Sequence, residues 1–170
     1  MIIGLGPTFR VRCDLDGFPG MDGREGPFGR LCFLLPETVG NCDALISLSV
    51  AAASVTHLAR NRGGRAAPEL MAMNAVEAFE TIHRALFEDD ERSDQQVMAD
   101  WDEFSRFLAV PRGLESFDGW KAFLIEDELL GRYIWKGPDH DEGEVLEANL
   151  VPGEFDDAIE ALVAFIDLAS

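Results

Sequence analysis

The chain carries two hydrophobic rhythms. Over "TFRVRCD" (8–14), Phe9, Val11 and Cys13 alternate with Arg10, Arg12 and Asp14. That period of two marks a half-buried strand. "LDGFPGMDGREGPFG" (15–29) is dense in Gly and Pro and reads as a loop. "RLCFLL" (30–35) resumes as a strand, so the N-terminal segment predicts a long-looped hairpin. The period then changes. In "LISLSVAAASVTHLARNRGG" (45–64), Leu48, Ala51, Ala52, Val55, Leu58 and Ala59 share one helical face. Ser49 is the expected cap and Gly63–Gly64 the expected stop. The opening "ALISLSV" can also begin as a strand. "NAVEAFETIHRALFED" (74–89) predicts a second helix, with Asn74 and Glu77 spaced as a capping box. Val76, Phe79, Ile82, Leu86 and Phe87 would face its core.

Residues 88–103 hold eight acids and one arginine, and read as a loop with at most a short helical turn. "FSRFLAVP" (104–111) is a weak strand or helix end that Pro111 stops. Regular alternation returns in "WKAFLIED". Trp120, Ala122 and Leu124 lie on one face, Lys121, Phe123 and Ile125 on the other, as in a central strand covered on both sides. Trp120–Asp127, Arg132–Lys136 and Val145–Leu150 therefore predict a three-stranded antiparallel meander. "PGEFDDAIEALVAFIDLA" (152–169) closes with an apolar stripe of Phe155, Ala158, Ile159, Leu162, Val163 and Ile166. Pro152 suits the entrance of that helix, and Glu154, Asp156 and Asp157 suit its positive N-terminal end. The order ββ–αα–βββ–α predicts an α+β fold. We expect one domain over residues 1–170, in which an antiparallel hairpin and meander pack with about three helices.

Length and cysteine content narrow the class. A chain of 170 residues, 47% of them hydrophobic, buries enough surface to need no metal or disulfide. Its three cysteines, Cys13, Cys32 and Cys42, are odd in number and form no CxxC pair. That argues against a disulfide framework and for a reducing compartment. There is no signal-peptide pattern and no apolar run of membrane-spanning length, so a cytoplasmic location is expected.

Charge changes the picture further. The formal net charge is −18. Residues 1–85 hold nine acids and eight arginines, net −1; residues 86–170 hold 23 acids and six bases, net −17. Nucleic acid and anionic membranes are poor partners for such a chain, because both demand clustered Lys and Arg. A basic protein partner fits, since an acidic field speeds its docking.

Catalytic motifs fail on spacing. "GLG" at 4–6 lacks the third glycine of a dinucleotide fingerprint, where Phe9 stands. No P-loop, nucleophile elbow or HExxH occurs. His83 sits at the edge of an apolar face near Phe79, the place of a satisfied, half-buried histidine, and His57 is expected on the solvent side. "DHDEGE" (139–144) offers oxygen ligands, but an EF-hand count from Asp139 puts Glu144 at the sixth position and Leu150 at the twelfth. "DLDGFPGMDG" fails the same count at Pro19. No catalytic residue, metal or cofactor is expected.

"SFDGWKAFLIED", "GRYIWKG", the acidic turn and "EVLEANLVPGEFDDAIEALVAFI" together resemble the immunity protein 42 family of bacterial polymorphic toxin systems. The N-terminal segments "MIIGLGPTFRVRCDL", "FGRLCFLL" and "LSVAAASVTHLARNRGGR" follow the same order more loosely. The resemblance implies an α+β immunity protein, made beside a toxin, that binds and blocks it in the cytoplasm. It supplies no catalytic residues. Combined with the charge pattern, it points to Asp139, Asp141, Glu142 and Glu144 as partner-binding carboxylates. Asp100, Asp102 and Glu103 would support them, with Trp101 as an aromatic anchor. The toxin would be basic, for instance a nuclease or another secreted effector domain. An adaptor or chaperone for a secretion effector is the alternative, and a small hydrolase with an unrecognised dyad is a third.

Overall fold

The computed structural model describes residues 1–4, 6–16, 28–88, 91–139 and 144–169. Its N-terminal sheet is built on the predicted hairpin. β2 (Arg10–Asp16) pairs antiparallel with β3 (Phe28–Leu34), Val11 facing Phe33 and Cys13 facing Leu31. The alternation is realised: Phe9, Val11 and Cys13 are buried, Arg10 and Arg12 exposed. Both strands run further into the Gly/Pro-rich segment than expected, and residues 17–27 of that predicted loop lie outside the described residues. Three short strands complete the sheet: β1 (Ile2–Ile3) on β2, and β4 (Thr38–Val39) and β5 (Leu45–Ser47) on β3. Thus "LIS" does open as a strand. α1 (Leu48–Ala59) follows, with Ser47 rather than Ser49 at its N-cap. Strand pairing to β3 holds Ser47 extended, so the helix cannot begin before Leu48.

The cysteine expectation is corrected here. Cys32 and Cys42 form a disulfide across 10 residues, with Cα atoms 5.1 Å apart. Spacing alone could not reveal it, because the turn between β3 and β5 returns Cys42 to its partner. The bond also removes the cysteine argument for a reducing compartment.

The second sheet is the predicted meander: β6 (Lys121–Glu126), β7 (Gly131–Lys136) and β8 (Leu146–Leu150), all antiparallel. Val145 lies just outside β8. Ala122, Phe123, Leu124 and Ile125 are all fully buried, so both faces of β6 are covered. Ala122, Leu124, Tyr133 and Trp135 join the core built with the first sheet and α5 (Glu154–Ala169). There Phe9, Phe33, Tyr133 and Phe155 pack ring to ring, with Phe9 and Phe155 centroids 4.9 Å apart. Phe123, Ile125 and Ile134 face a second cluster under α2 (Pro68–Ala72) and α3 (Ala75–Phe87). Two expectations change. β7 is the central strand of this sheet, and β6 is an edge whose free side meets residues 108–109 through Ala109 N–H donating to the Ala122 carbonyl. Trp120 precedes the strand and is half-buried. On α3 the Asn74–Glu77 capping box forms as predicted, but Val76, two residues past the cap in the first turn, faces solvent and is 40% exposed.

Five helices replace the expected three. The extra ones are α2 and α4 (Asp94–Phe104), the latter in the acid-rich run predicted as a loop.

Arg65 connects these layers. It is wholly buried and donates two bonds, of 2.8 and 2.9 Å, to the equally buried Asp156 in the first turn of α5. A third bond, 2.7 Å, reaches the Leu58 carbonyl near the end of α1. Glu126 at the end of β6 lies 3.7 Å away, and its other oxygen accepts from Gly153 N–H. Glu154 acts similarly: one oxygen accepts from the backbone of Thr8 and Phe9, the other from Val151. Two of the three acids expected merely to favour the dipole of α5, Glu154 and Asp156, are its tertiary anchors.

Removing one partner of a buried ion pair strands the other. Asp156→Asn should therefore lower the unfolding free energy by about 3–5 kcal/mol in urea titration. Asp157→Asn, which loses only an exposed pair with Arg62, should cost no more than about 1 kcal/mol. Equal costs would show that Arg65 is not the connecting element. A second expectation concerns Tyr133, the sole tyrosine. Its hydroxyl donates to the Ala109 carbonyl at 2.9 Å, and burial holds its pKa well above the ordinary 10.0. The unfolded chain releases this proton at the ordinary value while the fold retains it. The resulting stabilisation is complete below about pH 10 and declines as pH rises above it. Tyrosinate absorbance should thus appear only together with loss of the folded circular dichroism signal.

Candidate partner-binding face

α4 forms although nothing in it is buried. Its N-terminus is set by Ser93 and Gln96, which cap each other's backbone N–H groups. Its attachment is Arg92. That guanidinium donates to the carbonyls of Arg84, Ala85 and Glu88 at the end of α3, and also to the carboxylate of Asp100. One side chain thus satisfies the open carbonyls of one helix and pins the next against it. These two devices, neither visible as hydrophobic periodicity, explain why the acid-rich run is helical. Residues 89–90 lie outside the described residues.

α4 leaves Val97 43%, Met98 67% and Trp101 37% exposed, among the carboxylates of Asp94, Asp102 and Glu103. Asp102 and Glu103 form no ion pair among the described residues. Asp100 is half-buried and held by Arg92.

Trp101 leads into a cleft. The Arg112 guanidinium lies 5.1 Å from the Trp101 ring centroid and 5.6 Å from that of Phe87. Arg112, Phe87, Asp118, Trp120 and Lys121 line an open cleft of about 110 Å³. At its lip stands Gly119, with φ +77°, where an added Cβ would meet the Pro138 ring at 2.8 Å. Only glycine suits that close approach. Pro138 directly precedes Asp139, which is exposed, as is Glu144 beyond it. Asp141 and Glu142 lie outside the described residues. The fold therefore brings Trp101 of α4 and Pro138, the residue before Asp139, far apart in sequence, to residues that line one cleft. The sequence reading missed Arg112, Lys121 and Phe87 as parts of this face. The "PRG" at 111–113 signals only a turn, and Lys121 looked like any charge on an alternating strand.

Other chemistry is sparse. Burial pushes the Cys13 thiol up to about 11, against the lowering effect of the terminal amine, and Cys32 and Cys42 are bonded to each other. His57 is exposed, as expected. His83 is half-buried and stacked on Phe79, centroids 5.6 Å apart. Among the described residues, Glu80, His83 and Glu88 place potential metal ligands within 4.8 Å of one another. That set lies along α3 and its C-cap, and the ring stacking already accounts for the position of His83. The thiol picture predicts a stepwise titration. The native protein should show no thiol reactive towards a disulfide reagent. Denatured protein should show one, and denatured, reduced protein three. A reactive thiol in the native state would contradict the burial of Cys13 or the Cys32–Cys42 bond.

Among the described residues, no helix is long and apolar enough to cross a membrane. Comparison with solved structures finds the crystal structure of CdiI from Burkholderia dolosa AUO158. The two share 19% identity and superimpose with a TM-score of 0.69 over 97% of this chain and 99% of that one. At that identity the likeness concerns the fold. No curated protein matches the chain. The sequence profile of the family described as immunity protein 42 matches residues 1–165. The adaptor alternative gains no support from either match. The chain belongs to the immunity protein 42 family: it is an immunity protein, which binds and neutralises a cognate toxin.

Proposed function

We propose that the toxin docks on the face shared by α4, the Arg112 cleft and the segment after β7, and that the toxin surface meeting it is basic. The observation that supports this reading is the approach of Trp101, on acid-rich α4, and of Pro138, which precedes Asp139, to one cleft, beside a helix that leaves Val97 and Met98 exposed. Asp139, Asp141, Glu142 and Glu144, with Asp102 and Glu103, supply the long-range field that attracts a cationic surface. Asp100 contributes less, being held by Arg92. Trp101 is the anchor, an aromatic side chain whose polar surroundings exclude water once covered. Val97 and Met98 extend that apolar contact. A nuclease fits this partner chemistry, because its substrate cleft must be positive to hold phosphates. Inhibition proceeds by occupying the toxin in the cytoplasm, without turnover.

The test separates field from anchor. Changing Asp139, Asp141, Glu142 and Glu144 together to Asn and Gln should slow association with the toxin domain and flatten its salt dependence, with melting unchanged. Trp101→Ala should chiefly speed dissociation, weakening the complex by about 2 kcal/mol or more. Wild-type association, dissociation and cell protection in both variants would place the interface elsewhere.

A further inference from the structure

Seven of the 14 bases of this acidic chain form ion pairs with its own carboxylates among the described residues. Arg12, Arg30, Arg62, Arg65, Arg92 and Arg132 each hold an acid within 3.1 Å. Arg112 and Lys121 are among those that do not, and they are set apart by sharing one aromatic ring. Neither forms an ion pair among the described residues. Both instead lie over the ring of Phe87, at 5.6 and 4.7 Å from its centroid. Asp118 lines the same cleft but makes no ion pair with either. Arg112 also borders a second cavity of about 150 Å³, together with Ser54 and His57. Two cations thus converge on one aromatic ring, beside a concave space, in a chain of net charge −18 with acids to spare. No carboxylate among the described residues forms an ion pair with either of them.

We infer that this cleft receives a carboxylate side chain of the toxin, held between Arg112 and Lys121. The inference rests on the docking face proposed above and gives it a centre of opposite sign. Phe87 pre-positions both cations through its ring face, so little side-chain freedom is lost on binding. The guanidinium fork can engage both oxygens of the incoming group while the ammonium adds a point charge. An acidic border around a basic centre also rejects a partner that is merely basic, because two cations would then meet like charge.

Charge bookkeeping makes the test sharp. Arg112→Gln with Lys121→Gln makes the chain more acidic by two charges. If the toxin reads only overall charge, that variant should associate faster and bind at least as tightly. If the cleft holds a carboxylate, the complex should dissociate roughly tenfold faster or more despite the added acidity. The probe is the toxin domain co-purified from the producing strain with the wild-type protein as bait. Melting curves check the fold, and Arg112→Lys, which keeps the charge, should retain part of the loss. The acidic-border variant is measured in parallel. Weakened binding in that variant alone would leave the docking face standing and overturn the carboxylate site. Unchanged binding in both would overturn the face and the site with it.

Discussion

A buried guanidinium must be paired, and in this protein that requirement fixes the architecture. Arg65 cannot sit in an apolar interior without the carboxylate of Asp156, and Asp156 cannot sit there without Arg65. Their bidentate contact therefore dictates where the first turn of α5 lies. The Leu58 carbonyl adds the end of α1 to the same point, and Glu126 adds the end of β6. Phe155, under the Arg65 guanidinium at 5.3 Å, then sits among Phe9, Phe33 and Tyr133. Glu154, one turn position away from Asp156, fixes the chain entering β2. An ion pair of this kind contributes geometry more than net stability, since its desolvation offsets much of its attraction.

From that fixed point the cleft follows by the need to cover an edge. β6 has apolar side chains on both faces, but its outer side has no strand partner. An open edge of that kind invites pairing with other chains. Residues 108–109 close it: Leu108 bridges Phe123, and Ala109 donates to the Ala122 carbonyl. The Tyr133 hydroxyl then binds the Ala109 carbonyl from the core side. With 108–109 tied at both backbone groups, the chain must turn away immediately after, through Pro111 and Gly113. Arg112 is carried at the apex of that turn, over Phe87 and beside Trp101. A device that protects the sheet thereby also places a cation at the centre of the acidic face.

The sequence disclosed those parts of the fold whose side chains repeat with a period. The hairpin register around Val11 and Cys13, the stripe of α5 and the meander were all legible, because burial on one face forces that spacing. The parts that were not legible lack a period. α4 is held by Ser93, Gln96 and Arg92 rather than by a buried stripe, so its sequence reads as solvated. The edge position of β6 was hidden because both of its faces are covered, one by the main core and one by the cluster under α2 and α3, and burial of the faces does not report whether a strand has one neighbour or two. The Cys32–Cys42 bond depends on a turn between short strands. For the candidate face, charge and family resemblance only nominated carboxylates, and the fold alone showed that Pro138 meets Gly119 and that Trp101 meets Arg112.

What folding does not use is the part left for binding. The core claims Phe123, Tyr133 and Trp135 of the meander, and ion pairs engage seven of the twelve arginines. Against that economy, α4 stands out. None of its residues is buried, yet it carries Val97, Met98 and Trp101 into solvent at a hydration cost that the fold does not recover. The same region holds unpaired acids beside unpaired bases, a mixture that a purely solubilising surface has no reason to keep apart. An inhibitor of one cognate toxin needs both features. Apolar anchors supply affinity, and a patterned field of both signs supplies discrimination, because each wrong partner meets at least one like charge. On the docking face proposed above, these exposed groups are what the partner would recognise, while the buried core supplies the scaffold that carries them.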